Sequence, residues 1–261
     1  MELMFLTSTA ITFTYLLFAR QKTISAIQLF LNYPARVTAL SMFGVVGGST
    51  LFYTGLQSLD VGVAGVLEKL QPIFVIGLSA FFLKEFLPLK KLPWAFLALI
   101  ASYFVAVKEP FQPWNHRSTL FGMLLALSAS FLYSLASILG RYIMRQGASA
   151  IDLTFLRFAL AAMVYVPLVT ITHGWGGILH LEFRTLAALI IAAVVCTGGG
   201  YVLYYHGLKK ISATKATMLE LSSSIAAVII GILFLGESPT AVQLLAAVTL
   251  LGAIKQILAL S

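Results

Sequence analysis

Charge is what this chain has least of. Its 261 residues include 17 Lys or Arg and 9 Asp or Glu, so charged side chains make up 10% and hydrophobic ones 60%. A soluble domain averages about 25% charged residues. One residue in ten cannot coat a surface with water on every side, so the chain belongs in a bilayer. The single cysteine, Cys196, excludes an internal disulfide and any CxxC metal or redox motif. The chain opens on Met-Glu, with no basic n-region and no A-x-A site before the second segment, so no cleavable signal peptide is expected. GxSxG, HExxH, P-loop and dinucleotide fingerprints are also absent. ATP hydrolysis is therefore excluded as an energy source within the chain, and the few acids are too dispersed for a catalytic cluster. No enzymatic activity, cofactor or metal site is expected. His173 and His180 lie seven apart without Cys or acidic company, which is not a metal-ligand set.

What is present is apolar sequence in long runs, with a mean hydropathy of +0.97. Nine segments, roughly 1–18, 37–57, 61–84, 90–107, 118–144, 152–172, 185–207, 212–235 and 239–260, are each close to the ~20 residues that span a bilayer as helix. The runs are continuous, not alternating, which favours helices over barrel strands. Short connectors hold the breakers, among them Pro34, Pro88, Pro93, Pro110, Pro113 and Pro239. If the nine spans alternate, one side collects 12 Lys or Arg and the other 3, namely Lys108, Arg117 and Arg184; Lys69 and Arg157 lie inside spans. Basic residues gather on the cytoplasmic side, so the expected location is the cytoplasmic (inner) membrane, multi-pass, with the C-terminus in the cytoplasm. Most of the net charge of +8 then sets topology, and no clustered basic face for nucleic acid is left. The bilayer and a small-molecule substrate are the expected partners, and a homodimer is compatible with the sequence.

The chain also repeats itself. Shifted by 152 residues, 47–101 aligns with 199–253 without a gap, and 17 of the 55 pairs are identical. Matches among rare residues carry the weight: Gly47/Gly199, Gly48/Gly200, Tyr53/Tyr205, Gly55/Gly207, Glu68/Glu220 and Glu85/Glu237. The expected division is a first repeat at 1–110 and a second at 118–261. The shift sets Met1 opposite Leu153, so the helix at 118–144 has no counterpart and the first repeat is expected to lack its first helix. A five-helix unit crosses the membrane an odd number of times, so its duplicate inserts upside down, as in many secondary transporters. The expected fold is an all-α polytopic membrane helix bundle of two inverted repeats, with four plus five helices.

"FFLKEFLPLKKLPWAFLALIASY" and "LFLGESPTAVQLLAAVTLLGA" close the two halves, and "EKLQPIF" precedes the first of them. In these stretches the chain resembles the drug/metabolite transporter superfamily, specifically its EamA type, which has ten helices in a five-plus-five inverted fold. The resemblance covers almost the whole chain. It implies a secondary transporter of small metabolites, amino acid-like or drug-like, exporting them in exchange for protons by alternating access between the repeats. Two features depart from the pattern: the absent first helix, and Ser224 where the second repeat commonly has the proline that Pro72 supplies in the first. The alternative reading is a non-transporting membrane subunit or truncated paralogue. A channel would need a filter-like loop, and none is repeated.

The candidate pathway residues are Glu68, Gln71, Glu220, Arg157, Tyr205 and His206. Glu68 lies about 10 Å into its span, where an ionisable group costs a few kcal/mol unless it faces a cavity or a partner. Pro72 has no N–H for the Glu68 carbonyl, so a helix kink is expected there. Lys69 reads as a neutralising or snorkelling neighbour, but Glu220 recurs at the symmetric place with Leu221 beside it. Arg157 reads either as a snorkel to the cytoplasmic face or as a counter-ion in the cavity. Ser222, Ser223 and Ser224 are expected to pack or hydrogen-bond between helices. Gly47-Gly48 and Gly198 to Gly200 are expected at close helix contacts, and Glu85 and Glu237 to fix a turn or cap.

Overall fold

The computed structural model describes residues 2–18, 23–59, 61–107, 120–172, 176–236 and 238–259. Arg20, Lys22, Lys108, Arg117, His173 and Glu237 lie outside the described residues. Among those described, every regular element is helical. In chain order the α-helices are α1 (Glu2–Phe18), α2 (Thr23–Asn32), α3 (Pro34–Ser41), α4 (Gly48–Leu56), α5 (Val61–Glu68), α6 (Gln71–Leu78), α7 (Leu92–Ala106) and α8 (Leu120–Arg145). They continue as α9 (Ala150–Thr172), α10 (Gly176–Leu179), α11 (Phe183–Ile191), α12 (Gly200–Lys210), α13 (Ala213–Glu220), α14 (Ser223–Leu235) and α15 (Ala241–Ala259). Joined end to end where they are contiguous, they make eight apolar spans long enough to cross a membrane; the shorter apolar stretch Met4–Phe18 corresponds to the first expected segment. The eight run within a few residues of the expected segments. Helix α2 was not expected: it occupies what reads in sequence as a connector, and buries Ala26 and Leu29 while Ile24, Ile27 and Leu31 stay exposed.

The 152-residue shift carries from sequence into backbone shape. Helices α5 and α13 each have eight residues and end on the paired glutamates. Two turn residues follow in each half, Lys69-Leu70 and Leu221-Ser222, before α6 and α14 begin. Upstream, two π-helical segments, Met42–Gly47 and Ala192–Gly199, end on the paired glycines. Downstream, Lys84 (φ 56°) and Gly236 (φ 67°) both take the left-handed conformation. Glycine adopts it without steric cost, whereas a lysine is strained there.

Two compact units can be distinguished, and each draws on both halves of the chain: residues 1–50 with 135–210, and residues 51–134 with 211–261. In the first unit α9 is the hub, packed by α1, α2, α3 and α12. Its buried Asp152 accepts hydrogen bonds from Tyr15 Oη (2.8 Å) and from Ser25 Oγ, which ties α1 and α2 to it. Farther along, the Tyr165 hydroxyl donates to the Val45 carbonyl (3.0 Å) inside the π-helical segment. A π-turn disturbs the regular ladder, and this buried phenol serves one of the carbonyls there.

The second unit is organised by α7 against α15. Ala95, Ala98, Ala101 and Ser102 face Ala246, Leu250 and Ala253, all but Leu250 small residues that let backbones approach where lipid supplies no hydrophobic drive. The pair is antiparallel and pinned at both ends. Lys91 Nζ donates to the Ile257 carbonyl (2.9 Å), and Gln243 Nε2 to the Val105 carbonyl (3.1 Å). Each meets a carbonyl near a helix C-terminus, where intrahelical donors run out, and a cation there is favoured by the helix dipole. Glu85 does cap a helix, but not its own: its Oε2 accepts from the N–H of Ala213, the first residue of α13 (3.2 Å).

Candidate functional site

The expected kink at Pro72 is a break. Lys69 N–H still bonds the Gly65 carbonyl (3.1 Å), but Leu70 N–H turns to Leu67 (3.2 Å), and α6 restarts with Pro72 in its first turn. Proline is tolerated there because the missing N–H had no helical partner. The second half breaks at the same place without a proline. Ser222 Oγ donates to the Leu219 carbonyl (2.6 Å) and Ser224 N–H bonds the Leu221 carbonyl (3.2 Å). A serine that bonds nearby backbone competes with the helix ladder, and Ser222 does so here, at the break that Pro72 marks in the first half.

The two elbows meet within the second unit, where α6 packs against α13. Lys69 Nζ donates to Ser223 Oγ (2.5 Å). Glu68 and Glu220, the last residues of α5 and α13, are both half-buried. On the other side of the first elbow, the α8 hydroxyls of Ser130 and Ser134 bond the carbonyls of Leu67 (3.0 Å) and Gln71 (3.2 Å). The Ser224 hydroxyl is buried without a hydrogen-bond partner. Sequence reasoning set Lys69 aside as a neighbour of Glu68 alone. Lys69 is legible in sequence as an intramembrane charge, but its hydrogen bond to Ser223 in the other elbow is not.

Arg157 and Tyr205 come together in the first unit. Arg157 is 3% exposed, so it does not snorkel. Its Nη1 donates to Tyr205 Oη (2.9 Å) and its Nη2 to Tyr201 Oη (3.1 Å), while the guanidinium carbon lies 4.0 Å from the centre of the Tyr201 ring. Tyr204, which accompanies them, donates to Ser137 Oγ (3.0 Å). Gly44 makes room: a Cβ there would lie 2.5 Å from Nη2. The hydrogen-bond partners of this cation are phenols, and Tyr201 was not among the expected pathway residues. His206 follows Tyr205 in sequence but lies on the exposed side of α12, its Nδ1 2.8 Å from the Val202 carbonyl of its own helix. Glu68, Gln71 and Glu220 thus belong to one unit, and Arg157, Tyr205 and His206 to the other.

The expected close helix contact holds at Gly198, where a Cβ would lie 3.3 Å from Ile11. It does not hold at Gly200, where nothing lies within 4 Å. Tighter approaches occur at Gly44, Gly122 and Gly140. Among the described residues, no group of three or more His, Cys, Asp or Glu is placed to hold a metal ion.

Eight apolar spans, two of them interrupted beside charged residues, define a polytopic α-helical membrane protein. The chain belongs to the EamA-like transporter family, whose profile matches it twice, over residues 2–107 and 120–258. It is similar to the riboflavin transporter ImpX of Fusobacterium nucleatum, at 31% identity over 208 residues, which are 79% of this chain and 69% of that one. It is also similar to the threonine/homoserine exporter RhtA of Escherichia coli K12, at 29% identity over 219 residues, 82% of this chain and 68% of that one. A crystal structure at 16% identity shares the fold, with a TM-score of 0.79 over 98% of this chain and 87% of the other. The relatives are transporters of small solutes.

Proposed function

We propose that this protein is a secondary transporter that exports a small, amino acid-like or drug-like metabolite across the cytoplasmic membrane in exchange for protons. The observation that carries the proposal is the pair of broken helices. In each half of the chain an apolar span stops on a glutamate, turns and restarts, in the same register. Backbone interruptions at membrane depth are tolerated only where protein or a water-lined cavity surrounds them, and transporters place their substrate and ion sites at such breaks. Glu68 and Glu220 are the coupling groups in this proposal, with Gln71 beside the first. In the other unit, Arg157 and Tyr205, with His206 next in sequence, are the polar residues proposed to meet the solute. Inversion of the second half would let one elbow serve each membrane face in turn, which is alternating access. The similarity to a riboflavin transporter and to a threonine/homoserine exporter supports a small organic cargo. The 12-to-3 division of basic residues supports a cytoplasmic C-terminus.

Transport in proteoliposomes under an imposed proton gradient tests the proposal, with cargo first identified by metabolite accumulation in a deletion strain. Glu68→Gln and Glu220→Gln should each abolish gradient-driven flux while the protein remains folded and inserted, because Gln keeps the size and cannot carry the proton. Full gradient-driven flux in both variants would remove the coupling role and favour a non-transporting membrane subunit.

A further inference from the structure

We infer that Arg157, Tyr201 and Tyr205 form a binding site for a carboxylate, so that the small solute this protein accepts is a carboxylic acid in its ionised form. That the bound carboxylate is the exported solute rests on the transport proposal, but the site itself does not.

The charge of Arg157 has no counter-charge beside it. The side chain is buried inside a span, where an ionisable group normally meets a partner or a polar cavity. Among the described residues no carboxylate pairs with it. Its polar contacts are the hydroxyls of Tyr201 and Tyr205 and the rings of Tyr201 and Phe158. Asp152, on the same helix, serves Tyr15 and Ser25 instead. Hydrogen-bond donors are left over as well. A guanidinium has five N–H groups and no acceptor. One goes to Tyr205 Oη (2.9 Å) and one to Tyr201 Oη (3.1 Å), while Nε is buried without a partner. Each phenol oxygen accepts from the cation and still has its own O–H to give. The cluster thus combines one positive charge with spare donors, and buried polar groups are rarely left so. A hydrogen-bond-accepting anion answers both.

The donor set indicates which anion. Nε–H and the Nη–H beside it form a flat fork that the two oxygens of a carboxylate match. A carboxylate has about four acceptor sites, enough for this fork and both phenol O–H groups. One negative charge neutralises the single guanidinium, whereas a divalent anion would leave a surplus charge in a buried place. The rings of Phe158 and Tyr201 lie 6.0 Å and 4.0 Å from the guanidinium carbon. They offer apolar surface to the organic remainder of a carboxylic acid, which a halide cannot use. Gly44 brings the backbone of the π-helical segment Met42–Gly47 against the same group, since a Cβ there would lie 2.5 Å from Nη2 and 3.0 Å from Cζ. Such π-helical turns recur at functional sites.

The test uses the purified full-length chain in detergent, with sodium propionate as the probe and thermal unfolding as the readout. At about ten times its half-saturating concentration, propionate should raise the melting temperature by about 3–6 °C. Propionamide, its neutral analogue, should not, nor should sodium chloride or sodium sulfate at equal ionic strength. Arg157→Met removes the charge and should abolish the shift. Tyr201→Phe keeps the ring against the guanidinium and removes one O–H, so the half-saturating concentration should rise about tenfold or more. If Arg157→Met does not fold, Tyr201→Phe carries the test. A cluster that only holds helices together would give no propionate shift in the parent, which would overturn the inference. An equal shift from propionamide or chloride, a shift that survives in Arg157→Met, or unchanged half-saturation in Tyr201→Phe would also overturn it. Because the readout is melting, the two proposals fail separately. An Arg157-dependent shift without Glu-dependent flux would dispose of the transport reading, and Glu-dependent flux without that shift would dispose of this site.

Discussion

Replacing Arg157 with Lys, the chemically conservative change, should be more damaging than replacing it with Met. Arg157 is buried, with two N–H···O bonds to phenols and a ring beneath its plane. A hydrogen bond to a charged group contributes about 1.5–3 kcal/mol, and a desolvated cation–π contact about 2 kcal/mol. Lys keeps the charge and its desolvation cost, several kcal/mol for a buried ion. One ammonium cannot hold both phenol oxygens and lie flat on Tyr201, so Lys loses about 3–5 kcal/mol with nothing in return. Met loses all three contacts, about 5–8 kcal/mol by the same figures. It also abolishes the desolvation cost and removes Nε, which is buried without a partner. Its net loss should fall near 0–3 kcal/mol. At about 2–4 °C per kcal/mol for a chain of this size, the Lys variant should melt about 5–10 °C below the Met variant. Fluorescence-detected size-exclusion after graded heating measures both. A Lys variant as stable as the parent would show that charge alone, not the flat two-pronged group, is what the phenols require.

Ser224→Pro should cost about 0.5–1.5 kcal/mol, the worth of the Ser224 N–H bond to the Leu221 carbonyl that it removes, and no more, because residue 224 occupies the first turn of α14 as Pro72 does that of α6; a loss of several kcal/mol would mean that the two elbows differ in backbone conformation. For topology, the exposed Cys196 must first be replaced with Ser so that it does not react. In that background an impermeant maleimide should label Arg117→Cys on intact cells and reach Lys90→Cys and Arg145→Cys only after permeabilisation, and the reverse pattern would contradict the cytoplasmic C-terminus.

Composition and hydropathy determined the class of this protein, because a bilayer admits almost nothing but apolar helices and their ends are marked by charge and proline. The 152-residue register was legible too, since rare residues such as Glu68 and Glu220 make chance matches improbable. Pro72 announced one helix break through its missing N–H. The matching break after Glu220 was not announced, because serine interrupts a helix only when its hydroxyl turns back to the backbone, and side-chain direction is not written in residue order. Helix α2 was hidden for a related reason: ten residues are too few to span a membrane, so hydropathy alone left them as a connector.

Partnership was decided by tertiary structure alone. Nothing in the order of residues says that Lys69 reaches Ser223, 154 positions away, or that Tyr201 and Tyr205 enclose Arg157. Lys91 reads as one more topogenic cation, yet it is buried and caps α15. The physical reason is the same in each case. Hydrophobicity acts through a residue's own surface area and survives any rearrangement of its neighbours, so it can be read locally. The energy of a buried charge depends on which groups stand within a few ångströms of it, and only the folded chain brings those groups together.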